Sequence, residues 1–148
     1  MRLLVIEDSE LQQAVIAALF SEHQDSIRVE IVGTLAEASK KLEDADFIVL
    51  DLSLPDSTPD NSLSWLAGCG KPSLVVSCYD DKVTIMAAAA AGASGFISKG
   101  NLADQIVASI YFAMAREDLA FEHFEQRREA CRVMADRLKE RCFSMSGD

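Results

Sequence analysis

Three prolines, seven glycines and four cysteines in 148 residues exclude several classes of protein. So little proline and glycine rules out collagen-like and low-complexity chains. The cysteines, Cys69, Cys78, Cys131 and Cys142, form no CxxC pair and no zinc spacing, so neither a disulfide scaffold nor a zinc module is expected. No run of about 18 apolar residues is present, which argues against a membrane-spanning helix. The opening MRLLVIED turns acidic too soon for a secretory signal, and a reduced cytoplasmic location is the expectation. Positive charge is also scarce: 14 Lys+Arg against 24 Asp+Glu give −10, with no basic stripe. A phosphate backbone would repel such a surface, so direct DNA binding is not expected.

What is present is a half-apolar chain, 49% hydrophobic, of one-domain length. At roughly 150 residues it can bury about 70% of its unfolded surface and needs no staple. Its acid is unevenly placed. Residues 1–112 hold 7 Lys+Arg and 16 Asp+Glu, a net −9, while residues 113–148 hold 7 and 8, a net −1.

Up to about residue 112, short apolar runs alternate with amphipathic stretches. The runs are Leu3 to Ile6, Ile27 to Val32, Phe47 to Leu50, Leu74 to Val76 and Phe96 to Ile97. Helices are expected over Ser9 to Glu22, Thr34 to Asp44, about Asp60 to Ala67 and Asp80 to Ala91, with a last one starting near Asn101. Ser9, Thr34 and Asn101 are good N-cap types, and Glu37 completes a capping box with Thr34. Five strands alternating with five helices predict a parallel sheet covered on both faces, an α/β doubly wound fold. Ligands of such folds gather beyond the carboxyl ends of the strands.

The residues expected at those ends carry the chemistry. Glu7 and Asp8 follow the first strand, Asp51 ends the third, Ser77 the fourth, and Lys99 follows the fifth. Carboxylates brought together there resist ionising unless a cation joins them, and an all-oxygen site suits Mg²⁺. A hydroxyl and an ammonium beside it are groups that hold phosphoryl oxygens. The constellation reads as phosphoryl transfer to a carboxylate, with Asp51 attacking phosphorus and Ser77 and Lys99 steadying the oxygens.

With these residues in this order, residues 1 to about 112 resemble the receiver domain of two-component response regulators. The resemblance rests on Glu7-Asp8, on Asp51 within Asp-Leu-Ser-Leu-Pro-Asp, and on Ser77, Phe96 and Lys99. It implies the flavodoxin-like strand order 2-1-3-4-5. It makes Asp51 the phosphoacceptor, Asp8 and Asp51 direct magnesium ligands, Glu7 a ligand through water, and the Ser53 backbone carbonyl the third protein contribution. Ser77 becomes a switch hydroxyl and Phe96 an aromatic switch, together reshaping the surface of the fourth helix, fifth strand and fifth helix. The implied partners are a sensor histidine kinase or phosphotransfer protein and a downstream protein target. The chain departs from the family pattern at Pro59, where glycine is usual, at Cys78, where alanine is common, and at Gly100, where many members have proline. The 26 positions from Asp51 to Ser77 suggest a shortened third helix carrying Leu63, Trp65 and Leu66.

Taken singly, Glu7, Asp8, Asp51 and Lys99 read as solvated surface charges, Ser77 as a strand-end hydroxyl and Phe96 as core. Their recurrence at successive strand ends carries the functional reading. His23 and His123 read as surface histidines, since neither sits in a phosphorylatable-histidine motif.

Residues 113–148 are expected to be a helical extension with no separate output domain. No Pro or Gly falls between Asn101 and Phe143, so the fifth helix is expected to run on past the sheet. Ala120, Phe124, Cys131, Met134 and Leu138 form an imperfect 3.5-residue seam, which suggests a homodimer contact or a docking helix. The sequence therefore reads as a cytoplasmic response regulator that accepts a phosphoryl group on Asp51 in the presence of Mg²⁺. It is read as a phosphoacceptor with at most slow self-hydrolysis rather than an enzyme. The alternative is a receiver-like interaction and dimerisation module that works without phosphorylation. An aspartate-nucleophile hydrolase would need a second Asp two residues after Asp51, where Ser53 stands.

Overall fold

The computed structural model describes residues 1–117, with side chains through Tyr111. Its five strands are β1 (Arg2–Ile6), β2 (Arg28–Val32), β3 (Phe47–Asp51), β4 (Ser73–Ser77) and β5 (Gly95–Ser98). They form one parallel sheet, as the alternating pattern predicts, in the order β2-β1-β3-β4-β5 that the family resemblance implies. Five α-helices alternate with them: α1 (Glu10–Phe20), α2 (Leu35–Lys41), α3 (Pro59–Cys69), α4 (Lys82–Ala90) and α5 (Leu102–Glu117). Short 3₁₀ turns follow α1 and α2 and precede α5.

Strand residues alternate between two cores because side chains point to opposite faces with period two. Leu3 and Val5 of β1, with Val49, Leu74, Val76 and Ile97, pack against Ile16 and Phe20 of α1 and Leu102, Ile106 and Ile110 of α5. Leu4 and Ile6, with Ile48, Leu50 and Val75, pack against Ala38 of α2, Leu63 and Leu66 of α3, and Ala88 of α4. Burial on both faces explains why β3 and β4 read as continuous apolar runs rather than as alternating ones.

Caps set several helix starts. The Ser9 hydroxyl accepts from the Gln12 N–H, and the Thr34 hydroxyl from the Glu37 N–H at 3.1 Å. α4 begins after Asp81, whose carboxylate accepts from the Thr84 N–H. The third helix spans 11 residues, three more than the expected Asp60 to Ala67, because Thr58 caps it and Pro59 occupies the first helical position, where its missing N–H costs nothing. Gly70 ends it at φ 68°, the left-handed conformation that glycine adopts without strain. The expected continuation of the last helix toward Phe143 and its dimer seam lie outside the described residues. Among the described residues no helix is long and apolar enough to cross a membrane.

Candidate functional site

The site is assembled from four adjacent strand ends and the turns that follow them. β1 gives way to Glu7, whose N–H still donates to the Val32 carbonyl at 2.9 Å and so extends the strand by one residue. That pairing aims Glu7 inward, and only 2% of it remains exposed, whereas the next residue, Asp8, is exposed. Asp51 is the last residue of β3 and is 1% exposed; Ser77 is the last of β4 and fully buried. Lys99 stands immediately after β5, with 17% of its side chain exposed.

One carboxylate oxygen from each of Glu7, Asp8 and Asp51 lies within 4.8 Å of the others. Like charges this close, two of them buried, cannot all ionise freely. Burial, a hydrogen bond shared with Asp51 and the Asp51 charge together push Glu7 up to about 7, against opposing pulls from the Ser9 N–H and Lys99. Lys99 supplies the countercharge: its Nζ is 2.9 Å from Asp51 Oδ2 and 3.7 Å from Glu7 Oε2. Burial alone would lower the lysine. The Asp51 bond and charge, aided by Glu7 and Cys78, outweigh that and raise it.

Hydrogen bonds orient the other groups. The Ser53 N–H donates to Asp51 Oδ1 at 3.0 Å, turning the exposed Ser53 back over the carboxylate. Ser77 Oγ accepts from the Tyr79 N–H at 3.0 Å, which leaves the hydroxyl proton free to be donated. Gln13 Nε2 donates to the Glu7 carbonyl at 2.6 Å and ties α1 to the end of β1.

These residues lie within a stretch that matches a known family. The response regulator receiver domain family matches residues 3–111. The chain belongs to that family. Among solved structures, the BeF3-activated N-terminal receiver domain of Klebsiella pneumoniae RstA matches with a TM-score of 0.67 at 21% identity, covering 76% of this chain and 97% of that one. The signal receiver domain of a putative Luxo repressor protein from Vibrio parahaemolyticus gives 0.68 at 20%, covering 89% and 95%. A response regulator receiver domain from Bermanella marisrubri gives 0.63 at 27%, covering 74% and 94%. No curated protein matches the sequence.

The receiver fold thus gathers Glu7, Asp8, Asp51 and Lys99 at one crevice, with Ser53 bonded to Asp51 and Ser77 at the neighbouring strand end. Phe96 is not part of the cluster: it is half-buried on β5 and packs against the α2–α4 core. Of two neighbours, Cys78 entered the sequence reading only as a departure from the family pattern, and Asp56 was not singled out. Cys78, an exposed free thiol, is close enough to Lys99 for its charge to be felt. Asp56, six residues into the quoted motif, sends its carboxylate to the N-terminus of α2. Local sequence carries no signal of that bond, because donor and acceptor are about 20 positions apart.

The donor set fits a hard divalent cation. The clustered donors are carboxylate oxygens with no histidine or thiolate among them, the ligand chemistry that such cations prefer.

Proposed function

We propose that this receiver accepts a phosphoryl group on Asp51 from the phosphohistidine of a sensor kinase or phosphotransfer protein, and signals through protein contacts of α4, β5 and α5. The observation that carries this is the buried Asp51 carboxylate, held at 2.9 Å by Lys99 and flanked by Glu7, Asp8 and Ser77 at a single crevice.

Glu7, Asp8 and Asp51, with the Ser53 carbonyl, would hold Mg²⁺. When bound, that ion neutralises charge on the carboxylates and on the phosphoryl oxygens. An Asp51 oxygen forms the new bond to phosphorus while the phosphorus–nitrogen bond of the donor breaks and its electron pair returns to the imidazole. Lys99, already partnered with the carboxylate, offers its ammonium to the equatorial oxygens, and Ser77 donates the proton its turn leaves free. The product is an acyl phosphate on Asp51, which water hydrolyses slowly to restore the carboxylate and free inorganic phosphate, so the chain acts as a phosphoacceptor more than as a turnover catalyst. Movement of Ser77 toward the phosphoryl group would relax its bond to the Tyr79 N–H and shift the β4–α4 turn, leaving Phe96 room to move inward. Residues 1–112 would form the receiver unit. Cytoplasmic placement and a downstream protein target belong to the same reading.

Incubation with a small acyl-phosphate donor and Mg²⁺, read by intact mass, tests the proposal. The wild type should gain one phosphoryl group and Asp51→Asn none. Labelling that persists in Asp51→Asn would refute the assignment, and a wild type that is never labelled would favour the phosphorylation-independent module.

A further inference from the structure

The segment after β3 is fixed at both ends. At its start the Leu52 N–H donates to the Val76 carbonyl at 3.1 Å, and the Ser53 N–H to Asp51 Oδ1. Leu52 and Leu54 are both buried in the α2–α4 core. At its far end the Asp56 carboxylate leaves the loop for α2: the Leu35 N–H donates to Oδ1 at 3.1 Å and the Ala36 N–H to Oδ2 at 3.2 Å. Ser53, whose carbonyl we assign to the cation, therefore sits between two anchors.

The contact with α2 is exposed but two-pronged. The first N–H groups of a helix have no partner within it, and a carboxylate that takes two of them makes charge-assisted bonds at the positive end of the helix dipole. α2 is itself held in place. Its Ser39 hydroxyl donates to the Leu35 carbonyl and accepts from Trp65 Nε1–H of α3 at 3.0 Å. Lys71 Nζ donates to the carbonyls of Leu42, Glu43 and Ala45 just beyond its end. Asp56 thus ties the phosphoacceptor loop to an element that is pinned independently.

We propose that Asp56 is a positioning residue for the cation site: its two bonds to α2 hold the Asp51–Asp56 segment in the shape that presents the Asp51 carboxylate and Ser53 carbonyl together. The inference rests on the metal reading given above. Groups that orient metal ligands without touching the metal commonly change affinity by about 10- to 100-fold when removed, and the lower end suits a backbone tether.

The test is calorimetric titration with Mg²⁺ alone on wild type, Asp56→Ala, Asp56→Asn and Thr34→Ala, with urea unfolding alongside. Thr34→Ala removes the other cap of α2 without touching the loop, so it reports what loosening the helix does by itself. Asp56→Ala should weaken Mg²⁺ binding about tenfold. Asp56→Asn should fall between it and wild type, since one amide oxygen can still accept, and it carries the test if the alanine variant loses its fold. Thr34→Ala should lose stability and keep the wild-type affinity. Wild-type affinity in both Asp56 variants, or an equal loss in Thr34→Ala, overturns the inference while leaving the metal reading intact. A wild type that binds no Mg²⁺ overturns that reading, and the inference with it.

Discussion

α1 and α5 bury Ile16, Phe20, Leu102, Ile106 and Ile110 against one face of the sheet, whereas α2 buries only Ala38 and α4 only Ala88 on the other. α3 adds Leu63 and Leu66 to that second face, together with the buried Ser62. The second face makes up for shallow burial with directional bonds: Asp56 to α2, Trp65 to Ser39, and Lys71 to three carbonyls. Burial is non-directional and scales with area, while hydrogen bonds fix position at modest net stability. The face that carries the loop after Asp51 is the one built from polar ties.

The largest effect should come from the apolar face. Ile106→Ala, at a fully buried position, should lose about 2–5 kcal/mol in urea unfolding and leave Mg²⁺ affinity unchanged. A shift in affinity would show that the two faces are coupled. On the other face, Lys71→Met keeps the apolar stem but leaves three carbonyls without their ammonium. We expect a loss of about 2–3 kcal/mol in the same measurement, and a near-neutral result would mean that water replaces the tie.

These ties mark where the sequence stops being informative. Short Val, Ile, Leu and Phe runs located the strands, most clearly β3 and β4, which are buried on both faces, and the chemistry-bearing residues stood at their ends by position alone. Ser9 and Thr34 announced their helices, since a cap acts within three residues of itself. Pro59 was read as a departure in a loop; only the structure shows it starting α3 behind Thr58. Asp56 and Lys71 look like surface charges in sequence, because their partners lie 20 to 29 positions away. Their roles depend on tertiary placement that no local pattern encodes.

A third prediction concerns the site. With Glu7 at about 7 in the fold, its proton must leave before the carboxylate can serve a cation. Lowering the pH from 8 to 6 should weaken Mg²⁺ binding roughly tenfold, read by calorimetry, with proton release greatest below pH 7. The sign is opposite for the cation-free fold. Native Glu7 keeps its proton above 4.5, where the unfolded chain has released it, so stability should fall as pH rises from 4.5 through 7. Asp56→Asn should leave this pH dependence in place, since Asp56 bonds to α2 rather than to Glu7.

The smallest effect should come from a polar tie on the apolar face. Tyr111 of α5 and His23, after α1, are joined by a 2.8 Å hydrogen bond with their rings in edge contact at 5.2 Å. Tyr111→Phe keeps the ring and should cost only about 0.5–1 kcal/mol, read by urea unfolding. A cost as large as that of Lys71→Met would erase the contrast between the faces.

The central claim is that Asp51 is the residue that becomes phosphorylated, and trapping the product tests it most directly. Borohydride reduction of the donor-treated protein converts an aspartyl phosphate to homoserine, and peptide sequencing then places it. The account predicts homoserine at position 51 in samples containing Mg²⁺, and its loss when the ion is chelated. Homoserine at any other position, or none in a protein that has gained the phosphoryl mass, would contradict it.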